Sequence, residues 1–108
     1  MENKLRASVL LTLQSALLGA IGPAVRKVTC SWNAKEIRIR AVFDGQIGED
    51  DAQAMLVTET EVMASFPDHD VSLVYERCDA PGSVVMHADE QAVFARLEVM
   101  PHNCQDQV

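Results

Sequence analysis

Residues 25–43 alternate between apolar and polar side chains in two runs, and this pattern constrains the fold more than any other feature of the chain. The apolar positions are Val28, Cys30 and Trp32 in the first run and Ile37, Ile39, Ala41 and Phe43 in the second. A period of two is typical of a β-strand with one buried face. Because only residues 33–35 separate the runs, the sequence predicts a β-hairpin.

Two arginines, Arg38 and Arg40, occupy polar positions of the second run, so we expect them to point from the sheet face opposite the helices. One interpretation is that carboxylates such as Glu76 and Glu98 pair with them across strands, at up to about 1 kcal/mol each. The other is an anion-binding site, if no carboxylate lies near. The same face should also carry four apolar residues, which favours an interface. These are Val42, Val74, Phe94 and Met100.

The first helix is predicted from Lys4 to Leu18, with a stripe of apolar residues at every fourth position. The stripe consists of Leu5, Val9, Leu13 and Leu17. Its charged start resembles a secretory signal, but the polar side chains opposite the stripe favour a helix that faces the core. The segment is also too short and too polar to span a membrane.

A second helix is predicted from Gly48 to about Ser65, because three carboxylates follow Gly48 and stabilise the positive end of the helix dipole. We expect its buried stripe to be Ala52, Met55, Leu56, Val62, Met63 and Phe66. Alternation then predicts a third strand with Val71, Leu73 and Tyr75 inward. It predicts a last strand with Val93, Ala95, Leu97 and Val99 inward, and a further short strand at residues 84–87.

The predicted order is α-β-β-α-β-β. It is most simply arranged as an α+β two-layer sandwich, in which an antiparallel sheet of four or five strands carries both helices on one face. Residues 1–100 should form one domain, followed by a polar tail at residues 101–108. Trp32 should be largely buried between the layers, close to Leu13, Ile39, Phe43 and Phe66.

Charge is divided unevenly along the chain, whose net charge is −7. Residues 1–43 hold seven Lys or Arg and two Asp or Glu, whereas residues 44–108 hold two and fourteen. Such an acidic chain is a poor partner for nucleic acid, where each phosphate contact needs a cation. Its three cysteines have no disulfide-framework spacing, so we expect free thiols in the cytoplasm.

No motif in the sequence names a reaction or a cofactor. No Ser or Cys stands beside a His in a recognisable nucleophile context, and no glycine loop for phosphate is present. Asp68 and Asp70 flank His69, but Asp is common in such a turn. A zinc site at His102 and Cys104 lacks any paired-ligand motif. We therefore expect no bound metal or cofactor.

The run from LLGAIGPAVRKVTCSWN to AVFDGQIGEDD, followed by TETEVMASFPDHDV, resembles a family of small bacterial single-domain proteins. That family shares an LLGxIxP opening, a hairpin tryptophan, an FDG turn and an FPD turn. The resemblance covers Gln14 to Arg77 and departs from the pattern over residues 83–108, where specificity would then be decided. It implies an association with toxin–immunity loci, including those of contact-dependent growth inhibition, and assigns no catalytic residues.

The leading hypothesis is therefore a non-enzymatic inhibitor that binds a cationic toxin domain and covers its active site. The acidic partner-binding surface would be formed by Glu49, Asp50, Glu59, Asp68 and Asp70. One alternative is an adaptor that homodimerises through the outer sheet face. A small enzyme is a third.

Overall fold

The computed structural model describes the backbone of residues 2–98 and the side chains of residues 4–98. The elements are α1 (Glu2–Leu17), β1 (Val25–Trp32), β2 (Glu36–Phe43), α2 (Glu49–Ser65), β3 (Asp70–Arg77) and β4 (Gln91–Ala95). This order and the α+β class confirm the prediction. The short strand expected at residues 84–87 is a loop instead, so the sheet has four strands.

The sheet has the strand order β3-β2-β1-β4 and is mixed. β1 runs antiparallel to both of its neighbours, but β2 and β3 run parallel. The prediction of a wholly antiparallel sheet is therefore wrong at this pair. The physical reason is the connection: α2 crosses over the sheet and returns the chain to the same end, so β3 starts in the direction of β2.

The hairpin of β1 and β2 is confirmed, with Trp32 opposite Ile37 at its closed end. The carboxamide oxygen of Asn33 accepts hydrogen bonds from the backbone N–H groups of Lys35 and Glu36, at 2.7 and 2.8 Å. An Asn side chain that bonds the backbone two residues ahead is a common device for fixing a tight turn. The turn chemistry thus sets the register of the central strand pair.

The hydrophobic core lies between the helices and one face of the sheet. On α1 the predicted stripe is confirmed, since Val9, Leu13 and Leu17 are buried and Leu5 packs against them. The sheet contributes the inward side chains of its strands. Those buried are Val25, Val28, Cys30, Ile37, Ile39, Ala41, Phe43 and Leu73.

On α2 the predicted buried stripe is confirmed only in part. Met55, Thr58 and Val62 are buried, whereas Leu56 and Met63 are each 49% exposed. Thr58 can occupy a core position because its hydroxyl donates to the Ala54 carbonyl at 3.0 Å, which satisfies the polar group within the helix. The contact face is therefore turned away from Leu56 and Met63, and both are left in solvent.

The alternation predicted for β4 is broken after Val93, which packs against the core as predicted. Phe94 pairs with Val28 and packs against the core, although it was expected on the outer face. Leu97 was expected inward and is 93% exposed beyond the end of the strand. The cause is an irregularity between Val28 and Thr29, where the partner changes from Phe94 to Ala92. One extra residue in a strand moves the following side chains to the opposite face.

Trp32 lies half-buried at the margin of the core, which is less burial than predicted, because it stands at the closed end of the hairpin. Val99, Met100, His102, Cys104 and the predicted tail lie outside the described residues. Within the part of the chain that is described, no helix is both long and apolar enough to cross a membrane.

Candidate functional site

The outer face of the sheet carries a buried arginine at its centre. Arg40, whose side chain is 8% exposed, forms two hydrogen bonds to the Glu90 carboxylate at 2.7 and 2.8 Å. It also donates to Glu76 at 2.9 Å and to the backbone carbonyl of Val85 at 2.8 Å. The prediction that Arg40 points away from the helices and pairs with Glu76 is confirmed.

A second buried arginine, Arg26, lies near the open end of the hairpin. It donates two hydrogen bonds of 2.7 Å to the Glu98 carboxylate and one of 2.6 Å to the Cys78 carbonyl. Glu98, which was predicted to share a face with Arg38 and Arg40, therefore forms its ion pair with Arg26 instead. Arg96 extends the network by bonding both Glu98 and Asp44.

Together these arginines hold the segment that connects β3 to β4, here called the covering segment (residues 78–90). Thr29 adds a hydrogen bond of 2.8 Å to Glu90, and Val42 is fully buried on this face. Much of the outer face, where the sequence predicts an interface, is thus covered by the chain itself. Of the two interpretations of Arg38 and Arg40, the ion-pair interpretation is confirmed at Arg40, because the carboxylates of Glu90 and Glu76 occupy the positions where an anion would bind.

The carboxylates of this network are held in their charged form. Burial alone would raise the pKa of Glu90, but the hydrogen bonds from Arg40, the His87 N–H and Thr29 outweigh it and lower the pKa to about 2. The hydrogen bond from Arg26 likewise lowers the pKa of Glu98 to about 2, against the effect of desolvation.

We expect the protein to lose stability in acid because of these two carboxylates. A folded-state pKa below the ordinary 4.5 gives stability that is complete above pH 4.5 and disappears as the pH falls towards 2. Urea unfolding between pH 7 and pH 2.5 measures this loss. Glu90→Gln removes one of the two titrating carboxylates, so the free energy of unfolding of this variant should fall less steeply over the same pH range than that of the wild type. An equal slope for both proteins would contradict the role given to Glu90.

Beside the covering segment, a groove of about 270 Å³ remains open on the outer face. Its exposed side chains include Arg38, which is 60% exposed and lies 3.8 Å from Glu36 and 3.9 Å from Asp89. Val74 is 54% exposed on the same face. The groove therefore mixes an exposed cation, a nearby carboxylate and an apolar side chain, and it has no marked charge preference.

The five acids predicted to bind a partner lie along α2 and just beyond it. Glu49 and Asp50 are exposed in the first turn of α2, and Asp68 and Asp70 are exposed after its last turn. A helix of 17 residues is about 25 Å long, so the two pairs lie near opposite ends of α2. Glu59 differs from them, because its carboxylate accepts a hydrogen bond of 3.0 Å from the Leu73 N–H.

The bond to Glu59 also has a structural meaning. Leu73 belongs to β3, an edge strand whose outward N–H groups are open to pairing with another chain. By accepting a hydrogen bond from one of these N–H groups, Glu59 fastens α2 to the strand and partly blocks its edge. Its position in sequence gave no sign of this role.

Other candidate chemistry finds little support in the geometry. His69 lies with its ring edge against Phe66, at 5.6 Å between ring centroids, away from any group of metal ligands. Among the described side chains, no three His, Cys, Asp or Glu come together to hold a metal ion. Burial raises the pKa of the Cys30 thiol to about 11, which makes it a poor nucleophile at neutral pH.

Two residues of the outer network, Arg26 and Glu90, were not predicted. Alternation back from Val28 places Arg26 inward, but a register shift between Val25 and Lys27 turns it to the outer face. Glu90 precedes β4 in a loop, and its partner Arg40 is 50 residues away. The sequence signal that could have indicated this role is that alternation assigns the charged Arg26 to the buried face of the first strand.

Comparison with known proteins identifies the family of the chain. The model of the MafI2 immunity proteins matches residues 6–98, which include most of α1, all four strands and α2. The match extends on both sides of Gln14–Arg77, the stretch on which the sequence resemblance rests. A search of curated proteins found no match. Because the family model covers most of its length, the chain belongs to the MafI2 immunity protein family.

Proposed function

We propose that this protein neutralises a bacterial toxin by binding it and covering its active site, without chemistry of its own. The observation that carries the proposal is the family match over residues 6–98, which gives toxin immunity as the functional class and a toxin as the partner. Covering the active site is the simplest mechanism for a chain of this size, because binding alone then suffices.

The charge of the α2 region supports a cationic toxin. Residues 44–76 contain nine Asp or Glu and no Lys or Arg. Opposite charges on two partners speed their encounter and penalise wrong partners. The exposed acids at the two ends of α2, Glu49 and Asp50 with Asp68 and Asp70, are the partner-binding residues that we propose. Glu59 belongs to this surface, but it also fastens β3.

We place this function in the cytoplasm. Both cysteines in the described part of the chain, Cys30 and Cys78, are free thiols, which suits a reducing compartment. A cytoplasmic inhibitor would meet a toxin either before its export or after its delivery into the cell.

The proposal is tested by expressing the product of the neighbouring gene, as the candidate toxin, in a bacterial host with and without this protein. We expect the protein to restore growth and to copurify with the toxin domain. A toxin that kills equally in both strains, and that shows no binding to the purified protein, would overturn the proposal.

Reversing the acids at the start of α2 should slow binding to the toxin. We expect Glu49→Lys with Asp50→Lys to lower the association rate more than it raises the dissociation rate, because steering acts before contact. The effect should shrink as salt screens charges beyond roughly 8 Å. The measurement is binding kinetics across a salt series.

The matched control reverses Glu36 and Asp89, two exposed acids on the outer sheet face, and changes the net charge equally. An equal slowing by both double variants would show that net charge acts, rather than a surface on α2. Both should fold, because exposed charges contribute little to stability, although Lys in the first turn of α2 also loses a favourable interaction with the helix dipole of up to about 1 kcal/mol per residue.

A further inference from the structure

The outward face of α2 carries a line of apolar side chains that the fold leaves in solvent. Leu56 and Met63 are each 49% exposed, and Val57, about 100° further round the helix, is 46% exposed. Glu49, Leu56 and Met63 are spaced by seven residues and therefore lie along one line of the helix. Exposed apolar groups that are contiguous and bordered by polar residues are typical of interaction surfaces.

Acids stand at both ends of this line. Glu49 and Asp50 precede it and Asp68 follows it, all exposed. An apolar centre within a charged rim is the usual anatomy of a protein–protein interface. The separation of the predicted acids into two pairs, about 25 Å apart along the helix, then has a simple explanation. They frame an apolar contact.

We infer that this face, made of Leu56, Met63 and the acids at both ends of α2, is the surface on which the toxin docks. The inference rests on the proposed function and names its partner surface. The toxin should present an apolar recess for Leu56 and Met63, with Lys or Arg on either side of the recess. Desolvated apolar anchors would hold the complex, while the acids would orient it.

The charges argue against the other occupants of this face. A second copy related by a two-fold axis would bring acidic ends together, and like charges in an interface disfavour association. Nucleic acid is repelled by the same acids. On the opposite side of the molecule, the buried cation Arg40 is already paired with Glu90 and Glu76.

A pair of matched variants tests the docking face. Leu56 and Val74 have nearly equal exposure, 49% and 54%, but Leu56 lies on α2 and Val74 on the outer sheet face. Leu56→Lys and Val74→Lys therefore make the same change in charge and a similar change in apolar surface. The probe is the candidate toxin from the neighbouring gene, inactivated by mutation, and the readout is its dissociation constant by calorimetry.

We expect Leu56→Lys to weaken toxin binding by about tenfold or more, as loss of an interface anchor does, and Val74→Lys to leave it within about twofold. Circular dichroism melts check that both variants fold. Met63→Lys on the same line should repeat the result and replaces Leu56→Lys if that variant unfolds.

The outcomes separate the two proposals. If the wild-type protein does not bind the toxin, the proposed function fails. If it binds and Leu56→Lys and Met63→Lys bind equally well, the function stands and the α2 docking face is overturned. Loss of binding by Val74→Lys alone would move the interface to the outer sheet face. A wild-type dimer in sedimentation that Leu56→Lys dissociates would show that a second copy occupies the α2 face, which would also overturn the inference.

Discussion

Arg40→Met is expected to lower the free energy of unfolding by about 3–5 kcal/mol, because it leaves a buried carboxylate without its cation. Glu90 is 8% exposed and accepts two of the hydrogen bonds that Arg40 donates. The covering segment would also lose the bond between Arg40 and the Val85 carbonyl. A small domain has only about 5–15 kcal/mol in total, so the variant should be close to unfolding.

The matched control is Arg38→Met, two residues away on the same strand and face. Arg38 is 60% exposed and its nearest carboxylates are 3.8 and 3.9 Å away, so its loss should cost less than about 1 kcal/mol. Urea denaturation of both variants gives the comparison. Arg40→Met combined with Glu90→Leu should recover part of the loss, since no buried charge remains unpaired. Equal effects at Arg38 and Arg40 would contradict the network.

Phe43→Ala is expected to cost about 3–5 kcal/mol, the usual range for removing a buried aromatic side chain. Phe43 is fully buried in β2 and stacks with Tyr75 at 6.3 Å between ring centroids. Tyr75 in turn donates a hydrogen bond to the Ala52 carbonyl of α2. The cavity would therefore open where the sheet meets α2.

Trp32→Ala provides the comparison, because Trp32 is the larger side chain but is half-buried at the core margin. Transfer free energy follows the buried apolar area, so we expect a smaller loss at Trp32 than at Phe43. Thermal and urea unfolding measure both. A larger loss at Trp32 would mean that the core is centred at the closed end of the hairpin.

Regular local patterns made the hairpin and α1 predictable. The hairpin repeats its period of two on both sides of a turn that Asn33 fixes, and α1 repeats its apolar stripe without interruption. In each case local preference and the final packing agree, which is the condition under which sequence reasoning works.

The failures have a different origin, because they depend on contacts between distant parts of the chain. The broken alternation in β4 follows from an irregular pairing with β1, and the parallel direction of β3 follows from the path of α2. At α2, both candidate faces contain apolar residues, so only packing against α1 and the sheet could choose Met55 and Val62 over Leu56 and Met63.

The same reasoning applies to the candidate site. The acids of α2 were chosen as partner-binding residues from their charge in the sequence, and that role stays a prediction. Their division into two ends with an apolar centre required the helix bounds and the exposure of Leu56 and Met63. Glu59 was chosen for its charge, and its bond to the Leu73 N–H could not be foreseen, since it joins a helix to the strand after it.

The most direct test of neutralisation by covering the active site is a competition measurement. An inactivated toxin domain is titrated with its substrate at increasing fixed concentrations of this protein. We predict mutually exclusive binding, in which the apparent dissociation constant for substrate rises linearly with the concentration of free protein and one molecule blocks one toxin. A ternary complex of toxin, substrate and this protein, with the substrate affinity unchanged, would contradict the account.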